Sequence, residues 1–241
     1  MSGEPGAASG FYDASYRRAG EREARWRELG ARGKADHVQA LVGTRPARLV
    51  EIGCGDGALL AELMRRDAAG NLTGYDVSGE AVRAARRRGV HADVFDGIRV
   101  PAPDDAFDVA VLSHVLEHVA DPPALLREAA RLAPTVVVEV PLERSVSGQR
   151  PSRRERSSAI GHVQLLDREA VRGLVTGAGL RITDELLDPL PTTVHLFDAR
   201  TAAERAAAHA KSGMRRTIFR VSPTLAARLF TLHYACVCTR S

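Results

Sequence analysis

The sequence predicts an α/β fold, a mostly parallel sheet with helices packed on both faces. Three observations lead to that expectation. Short apolar runs alternate with helical segments between residues 48 and 140, the pattern of successive strand–helix–strand units with right-handed crossovers. The first of these strands runs straight into glycines and then into a helix. The run TVVVEV, Thr135–Val140, is β-branched and bounded by two prolines, as a central strand buried on both faces would be.

The elements follow in order. Residues 13–29 and 34–42 read as helical, a charged run punctuated by Tyr12, Tyr16 and Trp26. Arg48–Ile52 is the first strand. Ala58–Arg66 is a helix with Leu59, Leu60, Leu63 and Met64 on one side. Asn71–Tyr75 is the second strand and ends at Asp76. Ser78 is placed to cap a helix over 79–88, which stops near Gly89. Val90–Val94 and Phe107–Leu112 are further strands, and a helix over 122–132 follows Asp121. After Pro141 the alternation breaks, and the polar, Arg/Ser-rich stretch 142–160 reads as a long loop over the substrate. A helix over 167–177 starts at Asp167. Arg181–Leu187 is a strand, 199–212 and 222–230 are helical, and Thr231–Thr239 is a closing strand. This organisation makes 1–44 an N-terminal helical lid on a core of 45–241, with the 142–163 loop and a 188–228 insertion capping the substrate.

Composition narrows the function classes. The chain has 241 residues, enough for one large domain or a domain with a lid. Its 44% hydrophobic and 27% charged content excludes a chain disordered throughout, a collagen-like fibre and a disulfide scaffold. No stretch approaches the roughly 18 apolar residues of a membrane span, so no membrane partner is expected. The opening MSGEPGAASG lacks the apolar run of a secretory leader and reads as a disordered start. Cys54, Cys236 and Cys238 are too few for a disulfide framework and fit a reducing cytoplasm. Cys236 and Cys238, two apart in a strand, share a face and read as buried thiols. The net charge is only +4. Its one basic cluster, Arg150, Arg153, Arg154 and Arg156, reads as a solvated loop rather than a nucleic-acid face. Assembly as a homodimer is left open.

The strongest signal is Leu49-Val-Glu-Ile-Gly53-Cys-Gly55-Asp-Gly57. Glycines let the backbone turn tightly and let a ligand approach where a Cβ would stand, and amides at a helix start favour polar or anionic groups. Asp76 lies 21 residues beyond Gly55 at the tip of the next strand, where a carboxylate can hold both hydroxyls of a ribose. Gly53-x-Gly55-x-x-Ala58 also fits the looser dinucleotide pattern. Against a dinucleotide stand Glu51, aimed where a diphosphate would lie, and Asp56, a second negative charge on the loop. Such a loop suits a ligand with an ammonium and a sulfonium.

VEIGCGDG, GYDVS, HADVFDG and FDVAVLSHVLEHVADP resemble, in order, the motifs of class I S-adenosylmethionine-dependent methyltransferases over roughly 45–140. GHVQLLDREAVRGLVTGAGL is similar to that family's last helix before its closing antiparallel strands. The resemblance implies a Rossmann-like seven-stranded sheet with an antiparallel last strand, S-adenosyl-L-methionine as cofactor, and methyl transfer to an O or N atom of a small-molecule acceptor. The Ala/Arg-rich composition is similar to that of natural-product tailoring enzymes. By the same resemblance Gly53, Cys54 and Gly55 line the methionine moiety, with Glu51 near its ammonium. Asp76 holds the ribose, Val77 packs on the adenine, and Asp93, beside Val94, accepts from the adenine amino group. Ser113 and His114 face the methyl group. Tyr12 and Tyr16 resemble an N-terminal aromatic segment that closes over the cofactor in some relatives.

A sulfonium methyl is already activated, so the protein's task is to hold a nucleophile in line and exclude water. A base is needed where the acceptor is a hydroxyl or a protonated amine. His114 is the first candidate and His162 the second. His114, Glu117 and His118 share one helical face by spacing. With His162 they match a cluster that in some relatives, where a carboxylate replaces His114, looks metal-assisted. Histidine at that place suits a softer ion than Mg²⁺. Two rival readings stand beside this one: an RNA methyltransferase using Arg150–Arg156, and a nicotinamide-dependent reductase.

Overall fold

The computed structural model describes residues 5–240. Seven strands form one sheet: β1 (Arg48–Ile52), β2 (Asn71–Asp76), β3 (His91–Val94), β4 (Val109–Ser113), β5 (Thr135–Pro141), β6 (Leu180–Asp188) and β7 (His233–Arg240). Their order is β3-β2-β1-β4-β5-β7-β6. β1 to β5 run parallel. The last strand is inserted antiparallel between β5 and β6, so the expected Rossmann-like α/β architecture is observed. Around the sheet lie α1 (Pro5–Arg18), α2 (Glu21–Val42), α3 (Ala58–Arg65), α4 (Gly79–Arg87), α5 (Pro122–Leu132), α6 (Pro151–Ala159), α7 (Arg168–Gly177), α8 (Thr192–Leu196), α9 (Ala202–Val221) and α10 (Pro223–Leu229). Among the described residues no helix is long and apolar enough to cross a membrane.

Side chains alternate across the central strands with period two. Leu49, Val111, Val137 and Val237 pack with Ala35 and Val38 of α2, Leu60 and Leu63 of α3 and Val82 of α4. Val50, Ala110, Leu112, Val136 and Val138 pack with Leu125 and Leu126 of α5 and Val171 and Val175 of α7. The same alternation puts Glu51, Ser113 and Glu139 on the α2 side, at the carboxyl ends of their strands. Helix starts follow ordinary capping chemistry. Ser78, Asp121 and Asp167 each accept a backbone N–H of the first turn that follows.

Four expectations need correction. The stretch 142–160 is not wholly a loop, because Pro151 opens α6. That helix buries only Ser157, so it has no apolar stripe for periodicity to find. The first helical break falls at Ala19–Gly20, where Gly20 caps α2 and donates its N–H to Glu23, and not at 30–33. Of the expected disordered start, residues 5–10 belong to α1, and residues 1–4 lie outside the described residues. Met64 is exposed rather than packed with Leu63. Cys236 and Cys238 do share a face, buried and unpaired, with sulfurs 3.7 Å apart.

Gly74, in the middle of β2, is required by close packing. A Cβ there would lie 2.6 Å from Cys54 Sγ and 2.8 Å from Leu60 Cδ1. Gly74→Ala is expected to cost about 1–3 kcal/mol through this overpacking, read as a lowered urea midpoint with an unchanged slope.

Candidate functional site

The loop after β1 sits at the carboxyl edge of the sheet. Gly53, Gly55 and Gly57 all have positive φ, and the N–H groups of Gly53 and Cys54 both donate to the Tyr75 carbonyl, at 2.6 and 3.0 Å. A Cβ on Gly53 would lie 2.6 Å from Val115 Cγ2, and one on Gly55 would lie 2.5 Å from the Tyr16 hydroxyl. The protein's own side chains therefore already occupy the close approach that glycine permits. Asp76 is buried at the tip of β2. One carboxylate oxygen accepts the N–H of Gly55 at 2.8 Å and the other that of Ser78 at 2.9 Å. Burial raises its pKa against the pull of those amides. Glu51 is 3% exposed, its Oε2 has no hydrogen-bond partner, and burial pushes its carboxyl well up. Asp56 does not add charge to the loop as its sequence position suggested, because Arg27 and Arg88 pair with it at 2.9 and 3.0 Å.

The far side of the crevice is formed by the loop after β3. Gly97 lies against Val77, where a Cβ would come 3.1 Å from Cγ1. Asp96 beside it accepts the N–H groups of Ile98 and Arg99, both at 2.8 Å. Asp93 is ion-paired with Arg86 of α4, and Val94 is exposed. Sequence reasoning passed over Asp96; its signal was the second acid of HADVFDG, directly before a glycine.

Helix α1 is tethered across this edge. Asp13 accepts the Ser78 hydroxyl at 2.6 Å and the Glu80 N–H at 3.1 Å. The Tyr12 hydroxyl lies 3.0 Å from His118 Nδ1. Tyr16 lies beneath the Arg27 guanidinium, 5.2 Å from its ring centre, and burial raises its pKa.

Beyond β4, His114 takes a left-handed backbone, φ +58°, uncommon without glycine. Its Nδ1 lies 3.5 Å from Glu117 Oε1 and its Nε2 3.6 Å from Glu139 Oε1. Burial lowers its pKa strongly, so the ring is neutral near pH 7. Glu117 is 1% exposed with neither carboxylate oxygen partnered, and burial raises it to about 7. Burial, then the nearby His162, lowers His118 to about 4. His162 Nδ1 lies 2.7 Å from Glu143, which also accepts the Ser157 hydroxyl at 2.7 Å. Glu117, His118 and His162 bring their ligand atoms within 4.8 Å of one another. His114, expected in the same set, forms a different one with Glu139 and His233. Glu139 accepts from His233 Nδ1 at 3.1 Å. His37 reaches Glu139 with Nδ1 at 3.2 Å and Asp188 with Nε2 at 3.3 Å. Burial opposes the charge on His37, but these two carboxylates raise it to about 9. Glu139, Glu143, His37 and His233 were missed. The one charge within TVVVEV was the readable signal for Glu139.

A family profile described as "Methyltransferase domain" matches residues 20–185. The chain belongs to this methyltransferase-domain family. A ubiquinone biosynthesis O-methyltransferase of Xanthomonas oryzae pv. oryzae (strain PXO99A) is 37% identical over 106 residues, 41% of this chain and 44% of that protein. The chain thus matches less than half the length of that curated relative. Among solved structures, a SAM-dependent methyltransferase of Thermotoga maritima superposes with TM-score 0.65 at 16% identity, covering 97% of this chain and all of the other. A geranyl diphosphate C-methyltransferase of Streptomyces coelicolor A3(2), in complex with Mg²⁺, geranyl diphosphate and S-adenosyl-L-homocysteine, superposes with TM-score 0.63 at 14% identity over 87% of this chain and 77% of the other. These two likenesses show the fold of the methyltransferase domain.

Glu51 gives the domain a measurable pH signature. Its ordinary pKa is 4.5 and its folded value is higher because it is buried, so above pH 4.5 the folded state keeps a proton that the unfolded chain has released. That contribution is complete below the unfolded pKa and is lost as pH rises towards the folded one, at about 1.4 kcal/mol per pH unit. Glu51→Gln should therefore gain on the native protein as pH rises above 4.5 in urea unfolding. Parallel stability curves would contradict the assignment.

Proposed function

We propose that the domain is a S-adenosyl-L-methionine-dependent methyltransferase that moves a methyl group to an O or N atom of a small molecule, in natural-product biosynthesis. The observation that supports this most is the unpartnered, buried carboxylate of Glu51 beneath the glycine loop. A buried carboxylate without a partner is costly, and an amino-acid ammonium relieves that cost where a diphosphate would increase it. The residues fit such a cofactor: Glu51 faces its ammonium, Gly53, Cys54 and Gly55 its methionine chain, Asp76 its ribose, and Val77 its adenine. Asp96, next to Gly97 and Val77, fits the adenine amino group better than Asp93, which Arg86 engages. When bound, the cofactor supplies an activated methyl on a sulfonium.

This chain's residues supply the rest. Ser113, which ends β4, and His114 just after it face the methyl position. His162, with Nδ1 held by Glu143, has Nε2 left to take the acceptor's proton, the arrangement of an oriented general base. Both nitrogens of His114 face carboxylates, which suits it to positioning. Tyr12, Asp13 and Tyr16 hold α1 across the crevice, and a closed site excludes water. A cavity of about 420 Å³, lined by His37, Asp188, Leu190, Arg216 and Phe219 among others, is of small-molecule size. The unpaired cysteines accord with a cytoplasmic setting.

Calorimetry with S-adenosylhomocysteine tests the cofactor. Asp76→Ala should weaken binding by about 2–5 kcal/mol if its carboxylate meets the ribose. Tight NADH binding with no S-adenosylhomocysteine binding would overturn the reading. His162→Gln should lower the methylation rate about 10²–10⁴-fold while leaving cofactor affinity unchanged. An unaltered rate would remove His162 as base.

A further inference from the structure

We propose that His114 Nε2, Glu139 Oε1 and His233 Nδ1 form a binding site for a first-row divalent transition ion of zinc-like chemistry, distinct from the Glu117–His118–His162 cluster. The three ligand atoms lie within 4.8 Å of one another. From Glu139 Oε1 the distances are 3.1 Å to His233 and 3.6 Å to His114. Metal–ligand bonds of about 2.0–2.2 Å around a tetrahedral ion set its ligands about 3.3–3.6 Å apart, so a shift of a few tenths of an ångström at His233 brings the two distances from Glu139 to those of a coordination shell. Hydrogen bonding accounts for this spacing only in part. His233 makes a hydrogen bond to Glu139 Oε1 and His37 Nδ1 meets the same oxygen as an ion pair at 3.2 Å, whereas His114 Nε2, facing it at 3.6 Å, is buried with no hydrogen bond.

The surroundings are those of an oriented ligand set. Metal-bound histidines turn their other nitrogen to a carboxylate or carbonyl, and His114 Nδ1 faces Glu117 at 3.5 Å. Ligating carboxylates are themselves hydrogen-bonded. The Ser113 hydroxyl donates to the second oxygen of Glu139 at 3.4 Å, and His37, placed between Glu139 and Asp188, backs the first. The three ligands come from the end of β4, from β5 and from the start of β7. Register brings these together: Ser113 pairs with Glu139, and His233 pairs with Pro141. His114 reaches the site through its left-handed backbone, and strain of that kind persists where the surrounding structure fixes it. Two imidazoles and one carboxylate favour zinc, iron(II) or cobalt(II) over Mg²⁺. Three ligands leave a coordination position open beside Ser113, on the methyl side of the pocket. That last placement rests on the proposed methyl transfer; the metal site itself does not.

The test uses the full chain, stripped with a chelator and dialysed, then titrated with Zn²⁺ by calorimetry and with Co²⁺ by visible absorption. One ion per chain is expected, with the intense d–d bands of four- or five-coordinate cobalt. Glu139→Gln and His233→Gln should each weaken Zn²⁺ binding by more than the roughly 10–100-fold that an outer-sphere change causes. His118→Gln and His162→Gln should leave it unchanged. Absence of binding to the native chain would overturn the site. So would loss of binding in the His118 and His162 variants with retention in the His233 variant. S-adenosylhomocysteine affinity, measured on the same samples, separates the two readings. Zinc binding without cofactor binding sinks the methyltransferase proposal alone, and cofactor binding without zinc sinks the metal site alone. Far-UV circular dichroism and an unchanged cofactor affinity identify variants that remain folded.

Discussion

The site depends on the burial of carboxylates at the carboxyl edge of a parallel sheet. Glu51, Glu117 and Glu139 come from β1, from the turn after β4 and from β5, and each is at most 3% exposed. Removing such groups from water is expensive unless charge or hydrogen bonds replace the solvent. Glu139 has the fullest replacement, from three imidazoles that hold its carboxyl well below the usual range against the effect of burial; Lys34 acts on Glu51, and His162 and Lys34 act on Glu117, without offsetting burial. Glu51 and Glu117 are left with unpartnered oxygens and raised pKa values. A fold with no use for these acids would reach a lower free energy with apolar residues in their place. The cost therefore points to ligands that arrive later.

The same constraint explains how the helices are arranged. α2 crosses the face on which Glu51, Ser113 and Glu139 point, and it brings His37 to Glu139. Among its residues 9–18 α1 has no fully buried side chain, and its tethers include polar ones: Asp13 on Ser78 and Glu80, Tyr12 on His118. A helix held by a few hydrogen bonds at its edges can open at less cost than one seated in the core. The crevice it covers is shaped by glycines whose missing Cβ atoms make room for Val115 and Tyr16. Tyr16 is itself seated beneath Arg27, which pairs with Asp56, so the proposed cofactor would meet Tyr16 at this edge.

Most of the sheet was legible in the sequence because the central strands bury both faces, leaving β-branched runs between glycines and prolines. The glycine loop, Asp76 and Glu51 were legible for a related reason, since a charge or a glycine in such a run contradicts its surroundings. What escaped detection has the opposite character. α6 is polar all round, so no periodicity marks it. His37 and His233 lie in segments where a histidine looks ordinary, and only the register of β5 against β7 brings His233 to Glu139. Asp96 was passed over because the family resemblance pointed to Asp93, which lies within β3, and what sets the two apart is Arg86, seven residues from Asp93 in α4. Pairings between distant segments are set by topology, which a single sequence states only indirectly.

His114 stands between two of these buried acids. One imidazole has two nitrogens on opposite sides of its ring, and here one faces Glu117 and the other Glu139. A carboxylate at this position could face either acid only across a repulsion between like charges. A neutral histidine can serve both at once, as donor on one side and lone-pair ligand on the other. Its strained backbone follows from the same requirement. The chain leaving β4 must turn sharply for the ring to lie between β5 and the following 3₁₀ turn, Leu116–His118. A residue in an extended conformation at that point would continue the strand and carry its side chain past both carboxylates.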